Sequence, residues 1–471
     1  MRNKINNQTE FNYQPSNLKI TNQYYAKYEA VSEILEANPK IVDSVHGDLQ
    51  PTLKKMAAED RKGGAKFEYT SDTILRMALC QVIEGCSLRE IVVRIDDSNY
   101  LRIFVRIFNG PMIDYTTFCR LKNQIRPQTW KKINTILAQV AVKEEQITGQ
   151  RLRLDTTAVE TNIHWPTDSS LLWDTYRTLA RLIEQICEVV PSVAGNQRLL
   201  TRKAKRLQQK IARKAANQER SAEAIKPLFI KLIGLVEGIC EWSDRITKTL
   251  QAQLVKSRLN PFQQATVDYL REQMQHYRRL GERVVDQARR RVIDQEQVPN
   301  QEKIFSLFEP HTELLKRGKA GKPIEFGHMI QIQQVESKFI TDYEVFETRP
   351  VEYKLIEPAI ENHKILFGHY PDQLATDKGY YQDMNHIEQL EQRIEVVSIA
   401  KKGKRTEEQT QREIDPVFRH AQRFRAGVEG TISFLKRVLG LFRCYNKGWE
   451  HYAATVGVTI VAHNLLILAR C

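Results

Sequence analysis

The sequence predicts an α/β core that is interrupted by a large helical insertion and preceded by an all-helical N-terminal region. Two changes of hydrophobic period carry this prediction, because helical spacing gives way to alternation at Arg151 and again at Lys322. The stretch between them, from Leu171 to about Glu296, keeps a helical pattern with few breakers. The 471 residues suffice for about three domains. Hydrophobic residues at 41% and charged residues at 27% exclude a disordered or collagen-like chain.

The N-terminal region divides into two predicted parts. Residues 1–60 are polar and predict a partly ordered arm with one short helix around Tyr25 to Ala37. Residues 61–148 predict a helical domain, in which Ser87 and Glu90 have the spacing of a capping box. A further helix is expected to begin near Thr116 and to end at Pro127. Short helices with basic residues on one face suit a DNA-binding helix-turn-helix-like domain, and a plain helical bundle stays an equal alternative.

Alternating segments on both sides of the insertion predict one sheet. Residues 149–170 would form its first part, residues 171–305 the basic all-α insertion, and residues 306–471 the rest of the core. Without the insertion, the order is three strands, helix, strand, helix, strand and helix. This is the order of a ribonuclease-H-like fold, a mixed five-stranded sheet with helices. The five predicted strands are Arg151 to Ile163, Ile324 to Val335, Phe339 to Phe346, Gln373 to Asp377 and Glu395 to Ala400.

The sequence also predicts the cellular compartment of the protein and the state of its cysteines. The first residues lack the apolar segment of a signal peptide, and the seven cysteines form no CxxC pair. The apolar run from Ala453 to Ala469 contains His463 and Asn464, so we interpret it as a buried helix rather than a membrane span. We therefore expect a cytoplasmic protein with reduced thiols and no membrane partner.

Positive charge predicts a polyanionic partner. Lys and Arg exceed Asp and Glu by 71 to 57, giving a formal charge of +14. One cluster lies at residues 198–214 and includes Arg202, Arg206 and Arg213; a second lies at residues 283–291. Each is either a solvated helix face or a surface that binds DNA phosphates.

Three acids fall where the predicted fold carries metal chemistry. Asp155 lies within the first strand between Leu154 and Thr156, Asp377 closes the fourth strand, and Glu429 lies in the helix that would cross the sheet. Converging carboxylate oxygens suit two divalent ions, Mg²⁺ or Mn²⁺, for in-line displacement at phosphorus. These residues are therefore the candidate catalytic and metal-binding set.

Two cations share the helix face of Glu429. Arg425 precedes Glu429 by four residues and Lys436 follows it by seven, so both could hold DNA phosphate beside the ions. The alternative is an ordinary Arg425–Glu429 pair on a solvated helix.

These residues resemble the DDE transposases of bacterial insertion sequences. The resemblance rests on RLRLDTTAVETNIHWPTDSSLLW (151–173), LATDKGYY (374–381) and RFRAGVEGTISFLKRVLGL (423–441). The last segment fits the family's Arg-x3-Glu-x6-Lys signature at Arg425, Glu429 and Lys436, while Gln422 stands where the signature has tyrosine. Residues 163–174 and 308–327 resemble the ISNCY-like subgroup, and the likeness covers roughly residues 60–471.

The resemblance implies a function and its partners. A transposase of this family binds the terminal inverted repeats of its element, cleaves the DNA and joins the 3′-hydroxyl to target DNA, with a homodimer expected in the synaptic complex. It would act in the bacterial cytoplasm, associated with the nucleoid. Two alternatives stay open, namely a ribonuclease-H-like nuclease or resolvase that only hydrolyses, and a catalytically dead DNA-binding repressor. The presence of Asp155, Asp377 and Glu429 argues against the repressor.

Overall fold

A computed structural model describes residues 4–5, 16–63, 69–193, 195–216, 221–254, 259–319 and 322–470. The chain forms two compact units. The first comprises residues 1–162 and 327–471, and the second comprises residues 163–326. The second unit is therefore inserted in the sequence of the first. Of the segment 308–327 that carries part of the family resemblance, residues 320 and 321 lie outside the described residues.

Within the described residues, the first unit begins with seven helices. Two of them fall within the N-terminal segment for which one short helix was predicted, and their residues Val31, Leu35, Ile41 and Leu49 are buried. This segment therefore contributes to the hydrophobic core. The helices are α1 (Lys19–Ala37), α2 (Pro39–Gly63), α3 (Ser71–Ile83), α4 (Leu88–Asp97), α5 (Asn99–Phe104), α6 (Tyr115–Lys122) and α7 (Pro127–Lys143).

Local sequence signals set the ends of these helices. The capping box of Ser87 and Glu90 is confirmed at the start of α4. Pro127 has a different role from the predicted one, because it occupies the first turn of α7. Its ring fixes φ at a helical value, and an N–H would have no intrahelical acceptor there, so proline starts this helix. The preceding helix α6 already ends at Lys122.

The sheet has seven strands, whereas five were predicted. The two additional strands are β2, in a segment without alternation, and β7, which has only two residues. Neither is long or regular enough to give a period-two signal. The strands are β1 (Arg151–Thr161), β2 (Glu313–Lys319), β3 (Lys322–Gln334), β4 (Ile340–Val345), β5 (Gln373–Thr376), β6 (Val396–Ile399) and β7 (Arg443–Cys444). The mixed sheet with its helices confirms an α/β core with helical parts.

Strand β1 occupies the centre of the sheet. It is antiparallel to β3 and parallel to β5, which in turn is parallel to β6. The remaining strands β4 and β7 pair with β3 and β1, and β2 lies beside β3. Almost every residue of β1 is buried, as expected for a strand covered on both faces.

Five helices complete the first unit. The polar segment after β6 contains the short helix α14, which is capped by Thr406 and Gln409. None of its residues is buried, so the sequence has no apolar period to reveal it. These helices are α12 (Ile356–Phe367), α13 (Met384–Glu391), α14 (Glu407–Ile414), α15 (Pro416–Arg437) and α16 (Trp449–Leu468).

Helix α16 is apolar enough and long enough to cross a membrane, the one such helix among the described residues. Most of it is nevertheless buried within the first unit. Its Asn464 donates hydrogen bonds to Asn134 Oδ1 at 2.8 Å and to the carbonyl of Ile340 at 2.7 Å. These bonds satisfy a polar group that would be costly to bury alone.

The second unit is mainly helical and has its own hydrophobic core. Leu172, Leu179, Val236 and Met274 are fully buried within it. Its first helix begins at Asp168 and is capped by the side chain of Thr167. The helices are α8 (Asp168–Val189), α9 (Thr201–Ala215), α10 (Ser221–Leu254) and α11 (Pro261–Ala288).

Candidate active site

Asp155 lies in the middle of β1, opposite Ile332 of β3. The residue is only 8% exposed, and its Oδ2 lies 3.6 Å from Arg425 Nη1 on α15. Two positions earlier, on the same face of the strand, Arg153 donates to the carbonyl of Phe424 at 2.5 Å. Both contacts place α15 against the face of β1 that carries Asp155.

Asp377 follows directly after β5. The parallel register pairs Leu154 with Thr376, so Asp155 and Asp377 each come one residue after a paired position on neighbouring strands. The Asp377 Oδ1 accepts the N–H of Gly379 at 2.9 Å and caps the turn Lys378–Tyr380. This bond fixes the direction of the carboxyl group.

Glu429 is the most accessible of the three acids. Its side chain is 67% exposed, and its Oε1 accepts a hydrogen bond from Arg425 Nη2 at 3.2 Å. The ordinary i, i+4 pair is therefore present. The same guanidinium also contacts Asp155, so the pair is part of the candidate site and not a separate surface contact.

The electrostatics couple all three acids. The pKa of Asp155 is raised to about 7, chiefly because the carboxyl group is buried. The negative charge of Asp377 is the second cause, and Glu429 adds a smaller effect in the same direction. Arg425 acts in the opposite direction. Asp155 therefore interacts electrostatically with both of the other candidate acids and with the Arg425 guanidinium.

A ready three-ligand metal centre is absent from the described part of the chain. There, no group of three or more His, Cys, Asp or Glu side chains lies close enough together to hold one ion. In this arrangement Arg425 contacts two of the three acids, Asp155 and Glu429. The metal-binding role of Asp155, Asp377 and Glu429 stays a prediction.

A fourth acid, Glu352, adjoins the site and was missed from the sequence. Its Oε1 accepts a hydrogen bond from Thr156 Oγ1 at 2.7 Å, next to Asp155 along β1. Its other oxygen would meet any Cβ placed on Gly379, close to Asp377. Glu352 begins a short turn before α12, where no sequence pattern distinguishes it from the other acids.

Gln422 links the ends of two strands. Its amide nitrogen donates to the carbonyls of Thr376 at 3.2 Å and Ser398 at 2.8 Å. Thr376 immediately precedes Asp377. The glutamine that replaces the tyrosine of the family signature therefore helps to fix the chain that carries a candidate catalytic acid.

Lys436 and Arg425 both contact β1 from α15. The Lys436 Nζ donates to the carbonyl of Ala158 at 2.6 Å, three residues beyond Asp155. The buried Nε of Arg425 has no hydrogen-bond partner within the described residues. One guanidinium N–H of Arg425 therefore has no acceptor among the described residues.

The two basic clusters of the second unit differ in their pairing. Arg202, Arg206 and Arg213 on α9 are exposed, and within the described ranges none of them forms an ion pair. The second cluster is largely neutralised. Arg289 pairs with Glu237 at 2.5 Å and Arg291 with Asp168 at 2.7 Å, while Arg290 pairs with Glu296 at 2.6 Å, Glu302 at 2.8 Å and Asp286 at 3.5 Å. Of these two basic clusters, the one on α9 therefore keeps more of its positive charge unpaired.

Residues 27–124, from within α1 to just after α6, match the sequence model of a family described as a transposase domain (DUF772). This match supports a transposase family. It also suggests a DNA-processing enzyme, although the matched transposase domain contains none of the three candidate acids. No curated protein and no solved structure was found to match the chain.

Proposed function

We propose that the protein is the DDE-type transposase of an insertion sequence, with Asp155, Asp377 and Glu429 as its catalytic residues. The observation that carries the proposal is geometric: Asp155 and Asp377 follow paired positions on neighbouring parallel strands, and Arg425 contacts both Asp155 and Glu429. The order β4-β3-β1-β5-β6, in which β1 pairs antiparallel with β3 and parallel with β5, supports a core of ribonuclease-H-like type. The transposase domain at residues 27–124 supports the choice among enzymes of that type.

The donor set fits hard divalent ions. Mg²⁺ and Mn²⁺ prefer oxygen ligands, and Asp155, Asp377 and Glu429 all supply carboxylates. Two such ions, when bound, would activate the attacking water or 3′-hydroxyl and stabilise the leaving oxygen. Asp155 and Asp377 would supply ligands from adjacent strands. Glu429 would join them once Arg425 turns from the acids to a DNA phosphate.

The surrounding residues would position the DNA and the acids. Arg425 has an unused N–H for a phosphate oxygen, and Lys436 lies on the same side of α15. Gln422 and Gly379 fix the chain on each side of Asp377. Such positioning supplies much of the rate in phosphoryl transfer, because the chemistry needs an aligned nucleophile and leaving group.

The remaining surfaces would hold DNA. Helix α9, with its exposed and unneutralised cations Arg202, Arg206 and Arg213, would bind phosphates without reading sequence. The N-terminal transposase domain would bind the terminal inverted repeats. Cleaving and joining two ends requires at least a homodimer in the synaptic complex.

The test is a reaction on a supercoiled plasmid that carries the gene with its flanking genomic DNA. With Mg²⁺ or Mn²⁺, the wild-type protein should cut at the element ends and join them to target DNA, and EDTA should stop both reactions. Asp155→Asn, Asp377→Asn and Glu429→Gln should each abolish cleavage and leave DNA binding intact. The matched control is Asp372→Asn, an exposed acid just before β5. Cut ends without joined products would overturn the transposase in favour of a nuclease or resolvase.

A further inference from the structure

A cavity of about 650 Å³ lies within the first unit, away from the three acids. Helices α3, α4 and α6 form one side of it, and the segment around β7 together with α16 forms the other. Its volume is in the range of small-ligand sites, which is roughly 300–1,000 Å³. The cavity is too small for a duplex but can hold a single nucleotide.

Two cations without acidic partners line this cavity. Lys122 Nζ donates to the amide oxygen of Gln81 at 2.5 Å and forms no ion pair within the described residues. Burial lowers the pKa of Lys122 to about 8, because its charge is poorly solvated. Arg89 lies over the ring of Tyr115, 4.7 Å from its centre, and likewise has no carboxylate partner in the described ranges. An anion entering the cavity would neutralise both.

Exposed aromatic rings stand beside these cations. Phe442 and Tyr445 line the cavity, are 48% and 63% exposed, and face each other edge to face with ring centres 6.3 Å apart. Cations next to accessible rings are the combination that binds a phosphate and stacks its base.

The cavity is attached to the strand of the candidate active site. Cys444, next to Tyr445, pairs with Thr161 at the end of β1. Thr161 lies six residues beyond Asp155, which corresponds to about 20 Å along a strand. At about 3.4 Å of duplex per base pair, this is roughly six base pairs. A DNA strand at Asp155 could therefore reach the cavity.

We propose that this cavity binds one unpaired nucleotide of the DNA, with its phosphate at Lys122 and Arg89 and its base against Phe442 and Tyr445. The inference rests on the proposed function, since DNA must be the substrate. It concerns a separate site, which does not include the three acids.

The test compares two short duplexes of the same sequence in EDTA at fixed salt. One is fully paired, and the other contains a single unpaired 2-aminopurine nucleotide. The wild-type protein should bind the second at least about fivefold more tightly and quench its fluorescence, since stacking on an aromatic ring is worth this factor or more. Because no metal is needed, failure here is distinguishable from failure of the cleavage reaction.

Two variants and one matched control complete the design. Tyr445→Ala should remove both the preference for the duplex with the unpaired nucleotide and the quenching. Lys122→Met should reduce that preference, and a melting curve verifies that this variant is folded. The control Tyr269→Ala removes a tyrosine of similar exposure, 61%, from the second unit and should change nothing. Equal binding of the two duplexes, or a preference unchanged in both cavity variants, overturns the proposal. If free deoxyadenosine monophosphate binds as tightly as the duplex with the unpaired nucleotide, the cavity is assigned to a free nucleotide and the proposal is overturned.

Discussion

Arg425 and Asp155 are in contact across the surface between α15 and β1, with Nη1 3.6 Å from Oδ2. The same guanidinium donates to Glu429, one turn along the helix. Two of the three candidate metal ligands are therefore held by one cation, which the sequence places on the helix face of Glu429 and for which we predict a contact with DNA phosphate. This relationship suggests an order of events in which DNA phosphate draws Arg425 away before the acids assemble.

Gly379→Ala should reduce cleavage at least about tenfold, because misplacing a catalytic group by about 1 Å can cost a hundredfold. The new methyl group would overlap the Glu352 carboxylate and lie 3.1 Å from Asp377 Oδ1. Cleavage rate and DNA affinity are measured on the same preparation, and affinity should stay unchanged. The control is Gly430→Ala on α15, where a Cβ meets open space. Failure of Glu352→Ala to restore part of the activity of Gly379→Ala would contradict this explanation.

Gln422→Ala should slow cleavage and lower the melting temperature. It leaves the carbonyls of Thr376 and Ser398 without the amide that joins β5 to β6, and losing buried hydrogen bonds costs about 1–3 kcal/mol. The cleavage rate should fall together with the melting temperature, because Thr376, whose carbonyl loses its partner, immediately precedes Asp377. Gln411→Ala, at an exposed glutamine of α14, is the control. A variant that is less stable but fully active would limit Gln422 to a structural role.

Lys436→Ala should reduce strand transfer about tenfold or more, since Lys436 lies beside the path expected for the DNA phosphate. Its hydrogen bond to Ala158 adds a structural contribution of about 1.5–3 kcal/mol, so the melting temperature should also fall. Strand transfer is therefore measured well below the melting temperature. Normal transfer under those conditions would remove Lys436 from the site.

The salt dependence of DNA binding should depend on α9. Changing Arg202, Arg206 and Arg213 together to Gln should flatten the slope of log K against log salt by up to about 2.7, at about 0.9 for each phosphate contact. The matched control changes Arg289, Arg290 and Arg291 to Gln, which removes the same charge from residues already paired with acids. Equal effects of the two triple variants would favour the solvated-face interpretation of α9.

Two buried histidines should make stability sensitive to acid. Burial lowers the pKa of His363 and of His463 to about 4, from an ordinary value of 6.5. Each binds a proton more readily when the chain is unfolded. The free energy of unfolding should therefore be highest above pH 6.5 and fall as the pH drops through 4. His363→Gln should weaken this dependence in melting curves recorded across that range, whereas His420→Gln, at an exposed position, should leave it unchanged.

The sequence predicted the features that depend on local pattern. Strand β1 was predicted from its alternation, the capping box from the spacing of Ser87 and Glu90, and the long helices from their apolar period. It missed α14 and β7, which bury too little or are too short to leave a periodic signal. The role of Pro127 was misjudged because a proline can follow one helix and begin the next.

For this protein the sequence alone determined the candidate residues. Three are acids, identified by their places in the order of strands and helices. Two are cations on the helix of Glu429, one turn before it and two turns after it. Only the tertiary structure decided which of these groups meet. Strand pairing brings Asp377 beside Asp155, and helix packing places Arg425 between Asp155 and Glu429. It also decided which arginines keep their charge unpaired, since the partners of Arg289 and Arg291 lie 52 and 123 residues away. Contacts at such separations depend on the path of the whole chain, and no local period encodes them.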